Sequence, residues 1–170
     1  PDSAEDIWGQ ANERLAEPAF SACGLLEKFD VRALCTTDDP ADPLRHHEAI
    51  ATSPTRTKVY PTFRPDKAWS VDEPAGFRSW VEQLAETSGK EISTLDDFLD
   101  ALTKRVNDFH ALGSRLSDHS FPYFFVDFPS DAEASAVFEK ALNGQAATSA
   151  DKESFGAHVM LHLGRLYADK

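Results

Sequence analysis

Three polar clusters, Thr36 to Asp39, Arg64 to Lys67 and Ser117 to His119, hold the residues of this chain best suited to chemistry. Arg64 stands in the run Phe63, Arg64, Pro65, Asp66, Lys67, where a planar guanidinium on a proline-stiffened loop is suited to hold a carboxylate by two parallel hydrogen bonds. An ion pair with Asp66 or Asp39 is the competing role, and surface pairs of that kind are frequent and weak. Asp38 and Asp39 face a ligand or cap the helix that follows, since Asp is a preferred N-cap. Asp118 and His119 together make an acid/base or metal-facing pair, because imidazole titrates near neutrality and takes its orientation from a carboxylate. A buried histidine bonded to a carbonyl is the alternative.

The other histidines offer less. His46 and His47 are adjacent and point in different directions, so they form no metal pair. His158 and His162 have the i, i+4 spacing that binds zinc on one helix face, but Val159, Met160 and Leu161 between them lack the glutamate of the zinc-protease motif. No phosphate loop, dinucleotide glycine pattern or nucleophile elbow is present. Metal ligation is therefore assigned to none of these side chains.

The clusters sit where strands should end. Val31 to Cys35 is a compact apolar run that suits a buried strand, and Thr57 to Phe63 is β-branched and aromatic, with Pro61 placed near its end or at a bulge. Ser114 to Leu116 is a short third strand, and Phe121 to Phe128, interrupted by Pro122 and Asp127, reads as a packed loop. Between these lie helices. Ser3 caps the first, with Ile7, Trp8, Ala11 and Leu15 on one face ahead of Pro18, and a second runs from Ser21 through Lys28. Pro43 and Pro74 start two more, Thr94 and Asp97 cap the most periodic one, and Ser130 to Leu142 and Asp151 to Tyr167 follow. Strands alternating with helices imply parallel βα units, and in such architectures ligands bind at the carboxyl ends of the strands.

A chain of 170 residues with 41% hydrophobic content is enough for a single unit over 1–170. With 17 basic against 29 acidic residues the formal charge is −12, which disfavours binding to nucleic acid or an anionic membrane. No apolar run approaches the ~20 residues needed to span a bilayer, and the expected location is cytoplasmic. Cys23 and Cys35 lack metal spacing and read as small, reduced core residues. A start at Pro1 rather than Met, and a stop at Lys170 soon after an apolar helical run, point to a piece of something longer.

The motifs together are more specific than any one of them. Thr36-Thr37-Asp38-Asp39-Pro40, Lys58-Val59, Arg64-Pro65-Asp66-Lys67-Ala68, Ala101-Leu102-Thr103-Lys104-Arg105 and Ser117-Asp118-His119 occur in an order that closely resembles uronate isomerase (glucuronate isomerase), from about Asp6 to Leu163. That resemblance implies the amidohydrolase superfamily, with a distorted (β/α)8 TIM barrel, and interconversion of alduronates and ketouronates such as glucuronate and fructuronate, or galacturonate and tagaturonate. It implies that Arg64 binds the uronic acid carboxylate, that Asp38 and Asp39 lie on the substrate side, and that Asp118 and His119 are catalytic.

The departures matter equally. The family's His-x-His metal motif and the aspartate after its last strand are absent, so the divalent metal that the resemblance implies, zinc, belongs to a longer parent, and no cofactor is expected on this chain. The expected fold is α/β, a partial barrel of about three parallel strands, with open sheet edges and apolar helix faces that call for the rest of the barrel or a homo-oligomer. On this reading the piece alone is inactive. A metal-dependent hydrolase of the same superfamily and a non-catalytic binding module are the alternatives.

Overall fold

The computed structural model describes residues 3–121 and 124–170, so Pro1 and the loop interruption at Pro122 lie outside the described residues. Where composition suggests one unit, the backbone groups into two interleaved ones, Pro1–Thr36 with Arg45–Tyr60 and Thr37–Leu44 with Pro61–Lys170.

The first unit holds the regular sheet. Helix α1 (Ala4–Leu15) is capped by Ser3, whose hydroxyl accepts the Asp6 N–H, and Pro18–Phe20 forms a 3₁₀ turn before α2 (Ala22–Lys28). Gly24 of α2 lies so close to that turn that an added Cβ would stand 2.4 Å from the Pro18 carbonyl oxygen. Strand β1 (Ala33–Cys35) pairs in parallel with β2 (Lys58–Tyr60), Leu34 opposite Val59, and α3 (Arg45–Ala51) lies between them in sequence. Pro61 falls just past the end of β2, where a missing N–H breaks no ladder.

Two expectations fail in this unit. Strand β1 is not buried: Ala33 and Cys35 are exposed and only Leu34 turns inward, because among the described residues of the unit nothing covers the face they share. Cys23 and Cys35 are accordingly exposed thiols and not core residues. The apolar face of α1 is open as well, with Ile7, Trp8 and Leu15 all exposed.

The second unit carries the core. A 3₁₀ turn (Asp66–Trp69) leads to α4 (Pro74–Ser88), which Gly89 ends in a left-handed conformation at φ 67°. Helix α5 (Leu95–Ala111) opens with a capping box in which the Thr94 hydroxyl, with Ser93, holds the Asp97 carboxyl down at about 2. Helices α6 (Asp131–Leu142) and α7 (Ser149–Ala168) have the same device at Ser130 with Glu133 and at Thr148 with Asp151. Their inward faces meet in an aromatic cluster: Phe98 lies 5.1 Å from Phe138 and 6.0 Å from Phe77, all three fully buried.

The third strand is not present as such. Ser114 to Leu116 is irregular, and the pairing there is reduced to a single parallel bridge between Phe63 and Ser117, one of two such bridges beside that between Asp38 and Phe63. With one bridge to one neighbour, the segment lacks the repeated ladder that defines a strand. The apolar loop is only half packed. Phe121 and Phe125 meet Trp69 at 5.9 and 6.3 Å, whereas Phe124, Val126 and Phe128 point outward.

Candidate functional site

Four backbone hydrogen bonds assemble the site within the second unit. The Asp38 N–H donates to Thr62 O and the Arg64 N–H returns to Asp38 O, while the Phe63 N–H donates to Leu116 O and the Asp118 N–H returns to Phe63 O. This slanted parallel pattern sets the segments at Asp38, Phe63 and Ser117 side by side with Phe63 in the middle. The polar residues just beyond each bridge therefore share one edge. Asp38, Asp39 and Arg64 line one cleft, and Asp118 lies against Arg64. Thr36 instead belongs to the first unit, where its hydroxyl lies 2.8 Å from His47 Nε2; His46, its neighbour, is exposed.

Arg64 is half in solvent and doubly flanked. Its Nε donates to Asp66 Oδ2 at 2.8 Å and its Nη1 lies 3.4 Å from Asp118 Oδ2, so both the ion pair with Asp66 and an outward guanidinium edge exist at once. The Asp66 hydrogen bond and the two carboxylate charges hold Arg64 still more firmly protonated. Its Nη2 makes no hydrogen bond among the described residues. Asp66 in turn accepts the Ser120 N–H on Oδ1, which ties the Arg64 loop to the Asp118 segment.

Asp39 is more committed than its sequence position suggests. Its Oδ1 accepts both the Trp80 indole N–H at 2.7 Å and the Ala41 N–H at 2.9 Å, and its Oδ2 faces Lys67 Nζ at 3.1 Å. Asp38 Oδ2 accepts the Thr62 N–H at 3.3 Å. Thr37, Asp38, Asp39, Arg64, Asp66 and Lys67 line an open cleft of ≈ 360 Å³. The lining carries three carboxylates, two ion-paired cations and the Thr37 hydroxyl, so an anion held there would have to bond to the N–H groups that the ion pairs leave over.

Asp118 and His119 diverge. The Asp118 carboxylate turns to Arg64, whereas the His119 ring is stacked 5.3 Å from Phe121 and lies 6.4 Å from Trp69, both of its nitrogens buried without a hydrogen-bond partner. Burial pushes the imidazole below its usual range, so it is neutral near pH 7. Beside it, burial pushes the Tyr167 phenol up. The Asp118 carboxylate thus lies against Arg64 and the His119 imidazole among aromatic rings. His162 is spoken for too, its Nε2 lying 3.0 Å from the Thr103 hydroxyl. Among the described residues no group of three or more His, Cys, Asp or Glu is arranged to hold a metal ion.

Two contributors, Trp80 and Arg105, escape a reading of strand ends, and a third is given no role by it. Trp80 reads as an apolar core residue of α4, yet its N–H fixes Asp39. Lys67, which stands in a strand-end cluster but is given no role there, lines the cleft. Arg105 sits mid-helix in α5 on its buried face and sends its guanidinium to the loop after Asp39. A charged residue among the apolar positions of a helix is the one signal that could have marked it.

Parallel β1–β2 pairing in the first unit and, in the second, polar residues just past the parallel bridges Asp38–Phe63 and Phe63–Ser117 are features of the α/β class of folds whose sites sit on strand-end loops. The family profile described as glucuronate isomerase matches residues 1–170, and the chain belongs to that family. It is 52% identical over 168 residues to the uronate isomerase of Solibacter usitatus and 46% identical to that of Opitutus terrae, covering 99% of this chain in each case. It spans only 36% and 35% of the length of those relatives. Among solved structures, uronate isomerase from Thermotoga maritima superposes with a TM-score of 0.89 at 36% identity, over 98% of this chain and 36% of that one. Glucuronate isomerase from Caulobacter crescentus gives a TM-score of 0.89 at 29% identity, over 98% and 34%.

Proposed function

We propose that this chain supplies the carboxylate-binding wall of a uronate isomerase built as a (β/α)8 barrel, which interconverts aldose and ketose forms of a uronic acid such as glucuronate and fructuronate, or galacturonate and tagaturonate. The observation that carries the reading is the outward edge of Arg64, held between Asp66 and Asp118 beside Lys67 in a cleft sized for a sugar acid. Family membership and the matching superpositions support it.

The reaction moves a proton between C1 and C2 of the open-chain sugar through a cis-enediol and needs the far end of the substrate held still. Arg64 does this by donating through Nη1 and Nη2 to the C6 carboxylate, with Lys67 adding a second positive charge and Asp38 accepting from a sugar hydroxyl. Asp118, which faces Arg64 at 3.4 Å beside the cleft, is assigned the proton-relaying role, with Asp38, Asp39 and Asp66 lining the cleft itself. Among the described residues no group of side chains is arranged as a ligand set for the divalent metal expected of the full-length enzyme. The 170-residue chain alone is read as inactive on the ground that it spans only 36% and 35% of the length of its relatives. A cytoplasmic location and association with the rest of a barrel or a second copy belong to the same reading; no helix is long and apolar enough to cross a membrane among the described residues.

Arg64→Ala in the full-length protein tests this. Loss of a charge-assisted hydrogen bond of ~1.5–3 kcal/mol raises KM for uronates by roughly 10- to 150-fold. Unchanged uronate kinetics would refute the carboxylate role.

A further inference from the structure

We propose that Arg105 is a positioning residue of this site, acting through Asp39 on Lys67; the inference rests on the reading of the cleft as an anion site and deepens it. Arg105 is 4% exposed, and a guanidinium so buried persists only where its donors are matched. Its Nε donates to Pro40 O at 2.8 Å, its Nη2 to Asp42 O at 2.6 Å and its Nη1 to Asp108 Oδ2 at 2.7 Å, with the group 5.7 Å over the Phe109 ring. Both carbonyls lie in the loop that begins with Asp38 and Asp39. Thr87 of α4 takes the carbonyl between them, its hydroxyl donating to Ala41 O at 3.0 Å.

Residues 39 to 42 are therefore each tied to a side chain of α4 or α5: Asp39 to Trp80, Pro40 and Asp42 to Arg105, and Ala41 to Thr87. The loop needs such ties. It ends at Leu44 with φ 59°, a left-handed conformation that a branched side chain resists and that the surrounding bonds must hold in place. With Oδ1 of Asp39 occupied by two N–H donors, only Oδ2 remains, and it faces Lys67. Lys67 is 61% exposed and has a long, flexible stem, and Asp39 Oδ2 is the one charged partner of its ammonium among the described residues. Arg105 thus fixes the loop, the loop fixes Asp39, and Asp39 places Lys67 at the cleft. Arg105 itself does not line that cleft and touches no ligand there.

A double-mutant cycle in the full-length isomerase tests the chain of contacts. Arg105→Lys keeps the charge but cannot reproduce a fork that spans two carbonyls and a carboxylate. It is expected to raise KM for the uronate about three- to tenfold, the cost of re-ordering one long side chain on binding, with kcat within about twofold. In a Lys67→Met background the same substitution should change KM by less than about twofold, because the group it acts through is gone. A purely structural arginine would instead lower active enzyme equally in both backgrounds. Equal effects of Arg105→Lys with and without Lys67, or an unchanged KM in the single variant, overturn the proposal. Arg105→Met is the harsher companion; if it fails to fold, the lysine cycle still decides. An Arg64→Ala control with unchanged KM would count against the carboxylate reading alone, since Arg105 and Lys67 are judged by their coupling to each other.

Discussion

Replacing Trp80 by Phe isolates the bond that immobilises Asp39. Trp80 is 3% exposed and packs edge-to-face 6.1 Å from Phe98, so Phe retains most of the buried ring and removes one donor, the N–H that lies 2.7 Å from Asp39 Oδ1. A hydrogen bond to a charged group contributes ~1.5–3 kcal/mol. The Asp39 side chain is 27% exposed and can recruit water in place of the indole, which puts the loss at the lower end. The smaller ring adds about 1 kcal/mol, taking a void of roughly 40 Å³ at ~24 cal/mol per Å³. The expected total is about 2.5 kcal/mol, read by urea denaturation with far-UV circular dichroism. The hydrogen-bond share is separable from the void by repeating the substitution on Asp39→Ala. There Trp80→Phe should cost only about 1 kcal/mol or less, because it also removes a buried N–H that has lost its acceptor. Equal costs in the two backgrounds would show that the 2.7 Å contact contributes nothing and that Trp80 is a packing residue alone.

Acid should weaken the fold before its carboxylates protonate. Burial lowers His119 and His162 from 6.5, and His110 shifts the same way, so the unfolded chain binds protons first; stability is full above about pH 6.5 and falls as pH drops through the lowered values. Urea midpoints between pH 8 and pH 5 should show this, with a shallower fall in His119→Phe; an identical slope in the variant would remove His119 from the account. Gly24→Ala should destabilise the first unit although Ala is the better helix former. The gain of about 1 kcal/mol in helix propensity is outweighed by a Cβ placed 2.4 Å from the Pro18 oxygen and 2.8 Å from the Ala19 carbonyl carbon, both backbone atoms that cannot swing away. A higher thermal midpoint for the variant would refute that close approach.

Much of the scaffold is local and was legible as such. Thr94 with Asp97 and Ser130 with Glu133 satisfy the first N–H groups of their own helices at a spacing of three, so sequence alone places those starts. The 3.6-residue repeat of Phe98, Leu102, Val106 and Phe109 names the face that is buried. The ends of β1 and β2, with Asp38 and Arg64 a few residues beyond them, follow from where the apolar and β-branched runs stop. The ordered run of motifs from Thr36 to His119 places the chain in its family, because residue order along the chain survives without coordinates.

Other properties depend on groups far apart in sequence and needed the tertiary structure. Whether Ser114 to Leu116 is a strand depends on how many neighbours it pairs with, and it has one bridge. Whether Cys35 is buried depends on what covers its face, and among the described residues of its unit nothing does. Asp118 and His119 are adjacent in the chain, yet one reaches Arg64 and the other lies among aromatic rings supplied by Trp69, Phe121 and Tyr167. The sequence alone determined which residue types stand at the strand ends. Only the tertiary structure decided that Asp39 is held by Trp80 from 41 positions away and that Arg105, 65 positions from Pro40, holds the loop that carries it, since hydrogen bonds at such separations leave no periodic trace in a chain.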